Sequence, residues 1–220
     1  MTTRAKICGL KTEAALDVAI AAGADFVGFV HYAKSPRNVS VAEAAGLVRH
    51  TRATGSAKTV TLLVDPDDAL VDRVASEIAP DFLQLHGHES PERVAELRSR
   101  SGLAIIKAVP VATSGDVTEA FAYLAPGRAD ILMFDARPPA DPAALPGGNG
   151  LAFDWHILEG ARARAPFALA GGLTPENVAA AIALTDAAIV DVSSGVESRP
   201  GDKDPERIRR FLQAAKAARA

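Results

Sequence analysis

The 220-residue sequence contains one cysteine, Cys8, which excludes an intramolecular disulfide and leaves no thiolate cluster for a structural zinc. A reducing compartment suits such a chain. Neither sign of charge prevails: 24 Lys and Arg stand against 27 Asp and Glu, a formal net charge of -3. Nothing in that balance draws the chain to nucleic acid or to an anionic membrane surface, so any anion must be gripped locally. No apolar run approaches the roughly 20 residues needed to cross a membrane, and the segment from Met1 to Leu10 lacks the apolar stretch of a signal peptide. The expectation is a soluble, cytoplasmic protein. The Walker phosphate loop and the dinucleotide glycine fingerprint are also missing, which disfavours nucleotide use. His31, His50, His88 and His156 show no metal-ligand spacing, so no metal is expected.

What is present is an alternation. Short runs rich in β-branched residues lie near 4–8, 26–30, 59–64, 82–85, 104–108, 131–135, 167–170 and 188–192, which makes eight candidate strands. Between them, 13–22, 41–52, 68–78, 91–100, 117–124, 154–164, 175–184 and 205–216 carry apolar residues at helical spacing. Ser90 before Pro91 and Thr174 before Pro175 read as helix starts. Eight strand–helix units predict an α/β fold, a closed (β/α)8 TIM barrel, with an open doubly wound sheet as the alternative. No linker or charge block divides the chain, so residues 1–220 read as one barrel domain. The Pro- and Gly-rich segment 136–151 is long for a strand–helix connection and reads either as a mobile loop over the site or as an ordinary surface loop.

In a barrel the chemistry gathers where strands end. Cys8 ends the first strand and reads either as a small buried hydrophobe or as a reagent. Asp135 leaves the sixth strand after the apolar run 131–134, as a loop cap or as an acid–base group. Two turns, around Gly171 and Gly172 and around Ser193, Ser194 and Gly195, follow strands seven and eight. Glycine lets backbone amides approach an anion closely, and barrels commonly hold phosphate at this place, so the pair suits a phosphate dianion. Arg37, in Ser35-Pro36-Arg37, offers a planar fork to a carboxylate, against the plainer reading of a solvated side chain. His86 at the exit of strand four and Lys107 late in strand five are candidates for lining the pocket.

The motifs Lys6-Ile7-Cys8-Gly9-Leu10, Ser35-Pro36-Arg37, Gln84-Leu85-His86-Gly87, Phe134-Asp135, Gly147-Gly148-Asn149-Gly150, Leu169-Ala170-Gly171-Gly172-Leu173 and Asp191-Val192-Ser193-Ser194-Gly195-Val196-Glu197 occur in this order, the last followed by Pro200-Gly201-Asp202-Lys203-Asp204. The ordered set closely resembles the phosphoribosylanthranilate isomerase family along nearly the whole chain. The resemblance implies an Amadori rearrangement in tryptophan biosynthesis on a small phosphorylated substrate, without a cofactor, by a monomer or a homodimer. It implies that Cys8 is the general base and Asp135 the general acid, that Arg37 binds the anthranilate carboxylate, and that amides around Gly172, Ser194 and Gly195 bind phosphate. Two aspartates serve as acid and base in the related sugar isomerase of histidine biosynthesis, and Cys8 argues against that assignment. A pentose-phosphate epimerase, thiamin phosphate synthase or phosphometabolite-sensing barrel shares the fold class and the phosphate turns; retained Cys8 and Asp135 speak against the sensor. A thiolate base further predicts a Cys8 pKa held below the ordinary thiol value by Lys6 or Lys107.

Overall fold

The computed structural model describes residues 3–140 and 145–218. Eight strands, β1 (Arg4–Cys8), β2 (Phe26–Val30), β3 (Lys58–Leu63), β4 (Phe82–Leu85), β5 (Ala104–Val111), β6 (Ile131–Ala136), β7 (Phe167–Leu169) and β8 (Ile189–Val192), pair in parallel in chain order. Strand β8 closes on β1, with Lys6 opposite Asp191 and Ile7 opposite Val192. The sheet is therefore the closed barrel, and no strand of the ring is left as an edge.

Alternation along each strand assigns one set of side chains to the barrel interior and the other to the layer beneath the helices. Phe26, Val60, Ile106, Met133, Ala168 and Ile189 pack together inside the ring. Val27, Leu63, Leu83, Ile105, Leu132, Phe134, Leu169 and Val190 belong to the larger core between the ring and the helices. The same alternation puts Lys6 and Cys8, Gln84 and His86, Met133 and Asp135, and Asp191 and Ser193 on the inner face, stepping toward the carboxyl end.

The surrounding helices are α1 (Glu13–Ala21), α2 (Val41–Thr54), α3 (Asp68–Arg73), α4 (Pro91–Ser101), α5 (Ser114–Ala120), α6 (Ala161–Arg164), α7 (Val178–Thr185) and α8 (Pro205–Ala217). Local chemistry explains where several begin. Ser40 accepts from the amide of Glu43 while the Glu43 carboxylate accepts from the amide of Ser40, a reciprocal cap at α2, and Ser90 accepts from Arg93 N ahead of Pro91 in α4. Four expected helices differ: 68–78 passes from α3 into a π-helical turn at Val74–Ile78, and 117–124 is the end of α5 running into a 3-10 turn at Phe121–Leu124. In 154–164, Asp154 caps only a single 3-10 turn, Trp155–Leu158, and Gly160 at φ +77° restarts the chain as the short α6. Ahead of α7, Asn177 Oδ1 accepts from Thr174 N at 2.8 Å, so Thr174 and Pro175 form a turn and the helix begins at Val178. A hairpin without an expected counterpart, β9 (Glu197–Arg199) with β10 (Asp202–Lys203), follows β8.

Candidate active site

At the carboxyl end of the ring lies a concave pocket, walled by residues from both ends of the chain and from the strands between them. Cys8, Arg37, His86, Asp135, Gly171, Gly172, Ser193 and Ser194 all line it, so groups spread across the whole sequence converge on one cavity. Gln84 and Asp191, not singled out from the sequence, line it as well.

Cys8 is 3% exposed at the end of β1. Beneath it on the same face, Lys6 Nζ lies 2.8 Å from Asp191 Oδ1, and the Lys6 charge acts on Cys8. Gly28 on β2 makes room for both: a Cβ there would sit 3.1 Å from Cys8 Sγ and 3.2 Å from Lys6 Nζ. Burial pushes the Cys8 thiol above its ordinary pKa, against the pull of Lys6 and Lys203. The expected depression is thus corrected: a nearby cation is present, but desolvation and the Asp191 charge outweigh it in the free pocket. Burial also draws Lys6 down, but Asp191 and Cys8 more than offset this and hold its pKa above the usual lysine value.

Arg37 is buried rather than solvated. Its Nε and Nη2 donate to the two oxygens of Glu197 at 2.8 and 2.9 Å, and Nη2 also reaches the Gly148 carbonyl at 3.3 Å. One edge of the guanidinium is therefore fixed by the protein, which leaves the Nη1 end for a ligand. Lys203 Nζ donates to Glu197 Oε1 at 2.7 Å and to the Ser193 carbonyl at 2.9 Å, tying the hairpin to the turn after β8. Burial raises the Glu197 pKa, but Arg37 and Lys203 prevail and hold this carboxyl below the usual range. Glu197 and Lys203 were quoted only as parts of motifs, and the structure assigns them a task.

Asp135 is 5% exposed, with Oδ1 accepting from Ala136 N at 2.8 Å and Oδ2 facing His86 Nε2 at 3.1 Å. The Gln84 amide lies 3.0 Å from His86 Nδ1, so the ring is held between Gln84 and Asp135 through its two nitrogens. Lys107 does not line the pocket. Its neighbours Ile106 and Ala108 face the barrel interior, so Lys107 points outward, where Nζ donates to Glu89 Oε2 at 2.6 Å and to the Gly87 carbonyl at 2.7 Å. Burial draws its pKa down against the opposing charge of Glu89. The pair anchors the turn that carries His86.

Gly171 and Gly172 take φ of +86° and +63°, a conformation that side-chain-bearing residues avoid, and this sharp turn brings the chain after β7 against Ala136 and Ala152. Ser194 opens a 3-10 turn, Ser194–Val196, after β8. Gly195 stands behind the pocket wall: it is not among the lining residues, and a Cβ there would fall 1.9 Å from the Leu173 carbonyl oxygen. Of the segment 136–151, residues 141–144 lie outside the described residues, while Leu145 to Leu151 line the pocket from above.

Comparison with known proteins agrees with this arrangement. The profile of the family described as N-(5'phosphoribosyl)anthranilate (PRA) isomerase matches residues 5–214. An N-(5'-phosphoribosyl)anthranilate isomerase from Paramagnetospirillum magneticum is 52% identical over 219 residues, covering all of both chains. A crystal structure of phosphoribosyl anthranilate isomerase with reduced 1-(o-carboxyphenylamino)-1-deoxyribulose 5-phosphate superposes with a TM-score of 0.83 at 33% identity, covering 98% of this chain and 100% of that one. A monomeric form of the dimeric isomerase from Thermotoga maritima gives 0.82 at 32% identity, with the same coverage.

Proposed function

The chain belongs to the N-(5'-phosphoribosyl)anthranilate isomerase family, and we propose that Cys8 and Asp135 are the base and acid of the rearrangement it catalyses in tryptophan biosynthesis. The reaction converts N-(5-phosphoribosyl)anthranilate into 1-(2-carboxyphenylamino)-1-deoxyribulose 5-phosphate. It is an aldose–ketose isomerisation carried by proton transfers.

In this reading Asp135 gives a proton to the furanose ring oxygen, the C1–O bond opens, and the anthranilate nitrogen lone pair forms an iminium with C1. The iminium acidifies the adjacent C2–H, Cys8 sulfur takes that proton, and the resulting enolamine tautomerises to the ketone. His86, held from behind by Gln84, hydrogen-bonds Asp135 through Nε2 and holds the carboxyl in place. The iminium charge offsets the burial that keeps Cys8 protonated in the free pocket. Arg37, with one edge fixed by Glu197, offers its free end to the anthranilate carboxylate. The turns at Gly171, Gly172, Ser193, Ser194 and Gly195 receive the phosphate. The domain is the single barrel, working in the cytoplasm as a monomer or homodimer, where reducing conditions suit a free thiol.

The observation that carries the reading is the convergence of Cys8, Asp135 and Arg37 on one pocket walled by both turns. It is tested by supplying phosphoribosylanthranilate to the purified protein and following the loss of its fluorescence. Loss that depends on Cys8 and Asp135 is expected, and equal loss with both replaced would overturn the assignment.

A further inference from the structure

The barrel interior below the reaction site holds a charge that packing alone does not call for. Interior positions of such barrels are ordinarily filled by branched apolar side chains, and sinking an ammonium and a carboxylate there forfeits the hydration of both ions before their attraction is counted. Yet Lys6 is 1% exposed inside the ring, its ammonium 2.8 Å from Asp191, itself 8% exposed. The neighbouring strand is opened for it, since a side chain at Gly28, the residue beside Cys8 on β2, would crowd both Lys6 Nζ and Cys8 Sγ. Lys6 therefore lies one step beneath the thiol on the inner face, behind the pocket wall, and Asp191 keeps it charged.

We propose that Lys6 is a positioning residue that serves as the fixed counter-ion of the Cys8 thiolate, with Asp191 holding its ammonium against the sulfur. This rests on the reading of Cys8 as the base. The other elements packed around the thiol supply little competing charge. Val30 of β2 and Leu62 of β3 are apolar, and Tyr32 packs beside them. Lys203 of β10 acts on the thiol from farther off and is committed to Glu197 and Ser193. Arg37, His86 and Asp135 line the same pocket and have partners of their own. Lys6 is thus the cation that acts most strongly on the sulfur, sharing with it the space left by Gly28. A counter-ion behind the sulfur leaves its free lone pairs toward the pocket, where C2 of the sugar would lie.

Because Cys8 is the sole cysteine, its ionisation can be read without turnover. The rate of alkylation by iodoacetamide is measured against pH for the full chain, with the plateau at high pH reporting access and the midpoint reporting the thiolate. Lys6→Met is expected to raise the midpoint by about one unit or more, a rate loss of about tenfold below it, with the plateau retained. Since Lys6→Met leaves Asp191 buried and unpaired, the double variant Lys6→Met with Asp191→Asn is measured beside it. It removes both charges and is expected to keep an upward shift, because the lost cation acts on the sulfur more strongly than the lost anion. An unshifted midpoint in Lys6→Met, or a double variant that returns to the parent profile, would overturn the proposal, since Lys6 would then do no more than neutralise Asp191. Failure of the base assignment is distinguishable: Cys8→Ala would remain active while the alkylation profiles kept their shifts.

Discussion

Replacing Glu197 by Gln removes one negative charge from a place where two cations depend on it. Its carboxylate binds Arg37 through both oxygens at 2.8 and 2.9 Å, accepts from Lys203 at 2.7 Å and from Gly201 N at 3.1 Å, and its side chain is 4% exposed. Gln keeps the shape and one acceptor, but leaves two buried cations facing each other. Removing one partner of a buried ion pair costs about 3–5 kcal/mol, and the retained acceptor puts this case near about 3 kcal/mol. For a chain of this size that corresponds to a fall in Tm of about 6–12 °C. The loss has a pH signature. The folded-state pKa of Glu197 lies below its unfolded value, so its contribution is present above the ordinary carboxylate pKa of about 4.3 and is lost as pH falls through the folded value. The stability gap between parent and Glu197→Gln should therefore be full near neutrality and close in acid. Function should follow, because the held edge of Arg37 sets the angle of the free one: KM rises about tenfold while kcat changes less. Denaturant unfolding between pH 3 and 8, with steady-state kinetics at pH 7.5, tests both. A neutral-pH loss under about 1 kcal/mol with unchanged KM would show that Glu197 neither supports the cluster nor orients Arg37.

Cys8→Ala should keep the far-ultraviolet dichroism of the parent and lose turnover by at least the about 10^2–10^4 typical of a general base; near-parental turnover removes it from the mechanism. Asp135→Asn keeps the shape and one of the two acceptor oxygens but cannot deliver the proton, so turnover should collapse while titration calorimetry still detects a product analogue, and substantial activity would send the search for the acid to His86. Arg37→Lys preserves charge without the planar fork and should raise KM more than it lowers kcat; equal constants would move carboxylate recognition elsewhere. Gly195→Ala forces a methyl into the Leu173 carbonyl and should weaken competitive inhibition by inorganic phosphate, whereas unaltered inhibition would separate this turn from phosphate binding.

Much of this architecture is legible in the sequence, because strand and helix periods differ and alternate eight times. Cys8 and Asp135 fall at the carboxyl ends of β1 and β6, so their place at the mouth follows once the barrel is assumed. The same alternation rule exposes the misreading of Lys107: Ile106 and Ala108 fill the interior, so the residue between them must face the helices, where it meets Glu89 and lies 5.7 Å from the Tyr123 ring. Counted along β4, the rule puts His86 on the inner face with Gln84 and predicts its contact with the site correctly. What no local pattern reveals is Glu197 beside Arg37, a contact between residues 160 apart in the chain. The thiol pKa was misjudged for a related reason: a neighbouring lysine is visible in Lys6-Ile7-Cys8, but the depth of burial and the opposing charge of Asp191 are products of the closed ring.

These long-range pairs also set how much charge the pocket offers a ligand. Lys6 is matched by Asp191, and Lys107, on the far side of the sheet, by Glu89, so neither pair leaves net charge. In the third group Arg37 and Lys203 share the single carboxylate of Glu197, and two cations against one anion leave one positive charge. That surplus lies where Arg37 reaches the pocket and equals the charge of one carboxylate. The phosphate dianion has no comparable side-chain cation assigned to it and must be met by backbone dipoles at the turns after β7 and β8, which are screened less by salt when they are buried. Added salt should therefore weaken recognition of the anthranilate carboxylate and of phosphate unequally if either resides at the solvent-facing rim, and leave both nearly unchanged if the 145–151 segment seals the pocket. Its residues line the cavity beside Arg37, and the Gly148 carbonyl accepts from the guanidinium at 3.3 Å, so the carboxylate site is covered on that side and the smaller salt effect is expected there.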